Sequence, residues 1–156
     1  MSDNIKDADD LVYLVQTDTT VGFVSKSSDK LAQIKKRKDG KYFLQNTSSF
    51  ATLKSLVRVP NKYKKTVRNS TKTTFIYPDN QSIGKGIRVV KDSNFNIFLD
   101  RFDALYSTSA NLSGSAYDEE FALKNADIIV SSQDGFSDNV PSRLFKLSKN
   151  QMRRVR

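Results

Sequence analysis

The sequence predicts an α/β domain built on one twisted, mixed sheet with flanking helices. Two observations carry that prediction: strand-like and helix-like segments alternate along nearly the whole chain, and no repeat, low-complexity tract or Gly/Ser-rich linker divides it. Length is a third, because 156 residues fill one core, whereas two smaller cores would each be marginal. Alternation of this kind suits a mixed or mostly parallel sheet. Residues 1–10, acidic and polar, read as an N-terminal extension, and 11–156 as the domain.

Each element has a local reason. Leu11 to Val15 (LVYLV) is a continuous apolar run of strand length, the pattern of a strand buried on both faces, and a hydroxyl-rich turn or loop follows it. Ser27 or Ser28 can cap a helix to about Lys38, with Leu31 and Ile34 as a sparse apolar stripe under a basic outer face. Tyr42 to Leu44 reads as a short strand. Thr47 or Ser48 then caps a helix in which Phe50, Leu53 and Val57 recur on one side, and Pro60 suits the first turn of a basic helix through Arg68.

Thr73 to Tyr77 (TTFIY) is β-branched and aromatic, and Pro78-Asp79-Asn80 turns it toward a second strand at Gly86 to Val90, a hairpin. Ser93 starts a helix with Phe95, Phe98, Leu99 and Phe102 on one face. Ala104 to Ser107 is a strand that ends in the polar run STSANLSG. Tyr117 to Asn125 reads as an acid-started helix, and Asp127 to Val130, Arg143 to Leu147 and Met152 to Val155 as short strands.

Composition narrows the chemistry. With no Cys and no His, disulfides, thiolate nucleophiles, Cys/His zinc sites and Ser-His or Cys-His catalysis are excluded by inventory. Residues 1–10 resemble neither a signal nor a transit peptide, and no apolar run approaches the roughly 20 residues a spanning helix needs, so the expectation is a cytoplasmic protein with no membrane partner. The net charge of +9 is concentrated: Lys26 to Lys72 carries 14 Lys/Arg against 2 Asp. That concentration suits a polyanion, either nucleic acid or a nucleotide triphosphate, and equally a solvated lysine-rich surface.

Four segments could carry a site. In STSANLSG, Ser107, Thr108, Ser109 and Ser113 supply hydroxyls, Asn111 an amide, and Ala110 and Gly114 room for close approach. Such a loop can surround phosphate oxygens with N–H groups and hydroxyls, although Ser/Asn/Gly clusters also make plain turns. Gln16 to Gly22 (QTDTTVG) follows the first strand at the sheet edge where α/β ligands bind, and could equally be a helix cap or Asx-turn made by Asp18. Lys35-Lys36-Arg37-Lys38 could meet a polyanion or be a solvated helix end. Arg88, the single charge in its strand, points outward or faces a carboxylate or phosphate.

In order and spacing these four elements resemble the YrdC-like family, whose best-known members are threonylcarbamoyl-AMP synthases. Gln16-Thr17-Asp18-Thr19-Thr20-Val21-Gly22-Phe23 is similar to the family's Pro-Thr-Glu/Asp-Thr-x-Tyr-Gly-Leu segment, Lys35-Lys36-Arg37 to its Lys-x-Arg, and Gly86-Ile87-Arg88 loosely to its Val-x-Val-Arg strand. Ser107 to Gly114 matches its Ser-Thr-Ser-Ala-Asn-x-Ser-Gly signature throughout. Gln16, Val21 and Phe23 depart from the family's proline, tyrosine and leucine.

The resemblance implies a twisted α/β fold with a concave basic face and an enzyme that combines L-threonine, bicarbonate or CO2, and ATP, giving threonylcarbamoyl-AMP and pyrophosphate for tRNA modification. It implies Lys35 and Arg37 against phosphates, Ser107, Thr108, Ser109, Ala110, Asn111 and Ser113 around ATP, and Thr17, Thr19 and Arg88 in the threonine pocket. Ser142 and Arg143 match a late Ser-Thr position in part. Mg2+ is expected on the triphosphate. Expected partners are tRNA or double-stranded RNA and other tRNA-modification proteins. The alternative is a drifted paralogue that acts as a structured RNA-binding module.

Overall fold

A computed structural model describes residues 8–37, 43–79, 84–91, 93–131, 133–137 and 140–156. Among them a short 3-10 turn, Ala8–Asp10, precedes a sheet of nine strands in the order β7-β1-β2-β6-β3-β5-β4-β8-β9. The strands are β1 (Tyr13–Gln16), β2 (Val21–Ser25), β3 (Leu44–Thr47), β4 (Thr73–Tyr77), β5 (Lys85–Val89), β6 (Ala104–Ser109), β7 (Ile128–Val130), β8 (Arg143–Leu147) and β9 (Met152–Arg154). The helices are α1 (Ser28–Lys35), α2 (Phe50–Leu56), α3 (Lys64–Asn69), α4 (Asn94–Leu99) and α5 (Glu119–Asn125).

The sheet is mixed. Five neighbouring pairs are antiparallel and three parallel, so the mostly parallel variant of the expectation does not hold. Two of the antiparallel pairs come from β2, which the sequence reading takes for a loop: VGFVS is fully buried and pairs with β1 on one side and β6 on the other. Its β character comes from pairing on both edges, a hairpin with β1 and a long-range contact with β6, which local propensity does not register. The same holds for β3, whose LQNT falls C-terminal to the expected Tyr42 to Leu44 because β5 and β6 hold it in the sheet interior. Tyr42, Lys38 and Asn80 lie outside the described residues.

Other boundaries shift for local reasons. α1 stops at Lys35, since Lys36 is left-handed (φ 51°) and the Arg37 N–H folds back to Ala32 O at 3.2 Å. Ser49 rather than Thr47 or Ser48 caps α2, its hydroxyl accepting from the Thr52 N–H at 3.1 Å. Pro60 opens a 3-10 turn (Asn61–Tyr63) before α3. α4 ends before Phe102, which still packs in the same cluster as Phe95. β6 runs two residues further than expected, taking Ser107 to Ser109, the first three residues of STSANLSG, into the sheet.

Strand alternation divides the apolar residues between the two faces. One face packs under α2, α3 and the 3-10 turn through Leu53, Tyr63, Val67, Phe75, Tyr77, Ile87 and Val89, and under α1 and α5 through Leu14, Val21, Phe23, Leu31 and Ala122. The opposite face, with Tyr13, Val15, Val24 and Leu105, is covered by α4 through Phe95 and Leu99. α4 covers only part of it. The uncovered part carries Gly22, Leu44, Arg88, Ser107 and Leu144, all in the lining of one cavity.

Candidate functional site

That cavity, about 290 Å³, is assembled from segments far apart in sequence. The β1–β2 turn contributes Thr17, Thr19 and Thr20, the strand β6 contributes Ser107, Thr108 and Ser109, and Ser142 enters just before β8. Three guanidinium groups reach it: Arg37 after α1, Arg88 on β5, and Arg156. A dense set of hydroxyls with three permanent cations suits an oxyanion. A larger groove of about 680 Å³ lies beside it, sharing Thr17 and floored by Val15, Phe95, Phe98 and Val130, but its lining holds no Lys or Arg among the described residues. The charge selects the smaller cavity.

The threonines are ordered by one another. Thr17 Oγ1 donates to Thr20 O at 2.5 Å and receives the Thr19 N–H at 3.1 Å, which makes the QTDTT segment a tight hydroxyl-supported turn and no helix cap. Gly22 is required here because a Cβ would lie 2.8 Å from Thr108 O, so only glycine lets β2 and β6 close beside the cavity.

Arg88 and Lys35 are the two buried cations among the described residues. Arg88 Nη2 lies 2.9 Å from Asp18 Oδ1, with both side chains almost wholly enclosed. Burial lowers the Arg88 pKa, and Asp18 opposes that. Arg88 Nε and both polar atoms of Asn46 are buried without a hydrogen-bond partner. Lys35 is only 2% exposed and does not line the cavity. Its ammonium donates to Ser109 O at 3.0 Å, to Asn111 Oδ1 at 3.2 Å and to Asn111 O. Burial first, and Arg37 second, lower its pKa from 10.5 to about 8.

Lys35 therefore ties α1 to the STSANLSG loop. Arg37 strengthens the tie: its guanidinium sits 4.7 Å over the Phe43 ring and its Nε donates to Ser113 Oγ at 3.4 Å. The Ala110 N–H donates to Val21 O at 3.1 Å, and Ala110 itself is buried in the core under α1 and α5.

Of the residues expected at a site, the cavity lining brings together Thr17, Thr19, Arg37, Arg88, Ser107, Thr108, Ser109 and Ser142. Lys35, Ala110, Asn111 and Ser113 stand behind it. Arg143 is directed elsewhere, its Nη2 donating to Thr73 Oγ1 at 2.9 Å and to Thr71 O at 3.3 Å. Sequence reasoning missed Phe43, Leu44 and Arg156, and it left Asp18 between a ligand-binding segment and a helix cap or Asx-turn, with no ion pair to Arg88. A charge inside a buried strand needs a counter-ion, so Arg88 was the signal for Asp18. Arg156 had no such signal, because it is fixed by a tertiary contact in which its Nε and Nη2 donate to Ser142 O at 3.2 and 3.0 Å.

No group of three or more His, Cys, Asp or Glu side chains gathers among the described residues, and Asp18 is taken up by Arg88. That donor set does not fit a protein-held Mg2+, which needs free carboxylate oxygens.

The Sua5/yciO/yrdC family model, described as telomere recombination, matches residues 8–156. The chain belongs to the Sua5/YciO/YrdC family. Its fold is similar to that of P. abyssi Sua5 complexed with L-threonine (TM-score 0.76, 15% identity), over 94% of this chain and 50% of that one. It is similar to E. coli YciO (TM-score 0.74, 20% identity) over 94% of this chain and 82% of that one. It also resembles full-length HypF in a phosphate- and nucleotide-bound form (TM-score 0.72, 16% identity), again over 94% of this chain but 27% of that one. The chain thus spans about half the length of P. abyssi Sua5 and most of E. coli YciO. No curated protein sequence matches it. Among the described residues no helix is long and apolar enough to cross a membrane.

Proposed function

We propose that this chain is a threonylcarbamoyl-AMP synthase-like enzyme, condensing L-threonine, bicarbonate or CO2, and ATP into threonylcarbamoyl-AMP and pyrophosphate for tRNA modification. One observation carries the reading: the threonine turn, the Arg37 and Arg88 guanidinium groups and the Ser107 to Ser109 hydroxyls converge on one cavity, although they come from four separate segments. The likeness in fold to a Sua5 bound to L-threonine and a HypF bound to nucleotide supports the same assignment.

The chemistry asks little of side-chain acids and bases. The threonine nitrogen captures CO2 and loses a proton, giving a carbamate. The carbamate oxygen forms a bond to the α-phosphorus of ATP as the bond to pyrophosphate breaks. The attacking group is already anionic, so no histidine or covalent nucleophile is needed. The protein's work is to place two anions in line and offset their charge. Arg37 and Arg156 at the cavity wall, with Ser109 and Thr108, are the groups to hold the phosphates. Thr17 and Thr19 are the groups to hold the amino acid, and Arg88 clamps its carboxylate or a phosphate. Lys35 and Asn111 act behind them by fixing the loop.

Incubation with ATP, labelled bicarbonate and L-threonine is expected to release pyrophosphate and form a labelled adenylate, both dependent on threonine. Pyrophosphate release that is unchanged by threonine, or absent at high enzyme concentration, overturns the reading.

A second reading, a structured RNA-binding module without synthase activity, is favoured by one observation. Lys146 and Arg153 stand directly opposite one another across β8 and β9, a like-charge pairing that is unfavourable unless a polyanion lies against it. It predicts binding to a double-stranded RNA that weakens steeply with salt and survives Asn111→Ala. Affinity that is flat across salt rules it out.

A further inference from the structure

Asn46 is an unusual residue for the middle of a sheet. It lies on β3, is fully buried, and neither its Oδ1 nor its Nδ2 has a hydrogen-bond partner. Unpartnered buried amides are costly, of the order of 1–3 kcal/mol, and an apolar residue of similar size would avoid that cost. Its position suggests what the amide serves. Asn46 is the register partner of Arg88 on the adjacent strand, so both side chains leave the same face of the sheet. Leu44, two residues earlier on that face, and Ser107, its partner on β6, both line the cavity. Asn46 therefore sits under the cavity floor beside the arginine that reaches through it.

Arg88 has complementary needs. Asp18 approaches only its Nη2, and its Nε is buried with no partner. An Arg Nε–H is a donor with fixed direction, because the guanidinium is planar. If Nε is not held, the plane of the fork is free to turn about the bond to the side-chain stem, and the remaining N–H groups lose their aim. The Asn46 Oδ1 is the acceptor next to it in register. Its Nδ2 can serve the Asp18 carboxylate through one bridging water, the arrangement that satisfies otherwise orphaned buried groups.

We infer that Asn46 is a positioning residue for Arg88: its carboxamide accepts from the Arg88 Nε–H through one bridging water, and so aims the guanidinium fork at an oxyanion in the cavity. The inference rests on the reading of the cavity as an anion site. The oxyanion is either the carboxylate of an amino acid or a phosphate, which share the same bidentate chemistry.

Two measurements test it, one without any ligand. In a 1H–15N spectrum of the arginine side chains, the Arg88 Nε–H resonance, assigned by its loss in Arg88→Lys, is expected downfield in the wild type. It should move upfield in Asn46→Leu and stay downfield in Asn46→Asp, which keeps the acceptor. An unchanged resonance in Asn46→Leu overturns the inference. The second measurement is titration with inorganic pyrophosphate and, separately, with L-threonine. Asn46→Leu is expected to weaken by about tenfold whichever of the two Arg88 holds, the scale of one hydrogen bond to a charged group, and to leave the other within twofold. Both affinities unchanged overturn the inference even if the resonance moves. In an Arg88→Lys background Asn46→Leu should cost nothing further, and a full tenfold loss there also overturns it. A wild type that binds neither probe instead sinks the anion-site reading, and the resonance alone then decides whether Asn46 holds Arg88.

Discussion

Lys35 and Arg88 solve the same physical problem in opposite ways. Each is a cation taken almost entirely out of water at the edge of one cavity. Lys35 meets no carboxylate: its acceptors are two peptide carbonyls and an amide oxygen, all in the loop it supports, and its pKa falls to about 8. Arg88 cannot lose its proton under these conditions, and it is given a counter-ion, Asp18, at 2.9 Å. The difference separates two jobs. A lysine that is satisfied on every side is a strut, whereas an arginine that is half satisfied and lines the cavity still has donors to offer.

The comparison breaks most visibly at the counter-ion. Asp18→Ala leaves Arg88 buried and unpaired, and chemical denaturation should register a loss of about 3–5 kcal/mol. Replacing both partners by leucine should recover most of that loss, since an apolar pair carries no desolvation cost. A loss below about 1 kcal/mol for Asp18→Ala means that Arg88 finds water or another partner.

Lys35→Met should cost less, about 1–3 kcal/mol, because it strands neutral acceptors and no charge. Its signature is local, with faster amide exchange expected across Ser109 to Ser115 and little change in β4 and β8. Uniform loosening of the whole sheet would show that Lys35 is no loop strut.

The lysine also predicts a pH effect. Unfolded, Lys35 keeps its proton up to about 10.5, and folded only to about 8. Between those values the unfolded state holds more protons, so stability rises with pH across that window, with a slope of no more than about 1.4 kcal/mol per pH unit. Denaturation curves of wild type and Lys35→Met, compared from pH 7.5 to 10, isolate it. Arg88 contributes no such slope. Equal slopes in the two proteins contradict the account.

The smallest effect belongs to a contrast in the core. Tyr77 is fully buried under α2 and α3 with its hydroxyl unpartnered, and burial pushes its pKa up. Tyr77 lines neither of the two cavities described above. Tyr77→Phe should be neutral or stabilising by up to about 1 kcal/mol in thermal melts, with ligand binding unchanged.

How much of this was legible in the sequence depended on whether the signal was local. TTFIY and RLFKL are recoverable to the residue, because β-branched and aromatic runs bounded by turns need no partner to be recognised. VGFVS and LQNT were not, because their strand state is imposed by neighbours on both edges. The same division runs through the site. Thr17, Arg37, Arg88 and Ser109 could be placed near one another from their motifs, while the roles of Asp18, Asn46 and Arg156 depend on register and on contacts up to 70 residues away, as between Asp18 and Arg88. Lys35 was visible as a motif residue, but its burial was not. It lies one turn after Leu31 on the inward face of α1, which the sparse apolar stripe obscured.

The central claim, that the cavity beside β5 and β6 is a nucleotide-activating site, is tested most directly by calorimetric titration with ATP in the presence and absence of L-threonine. The account predicts saturable binding of ATP that tightens when threonine is present and is lost in a folded Arg37→Ala protein. No saturable binding, or binding that is indifferent to both threonine and Arg37, would contradict it.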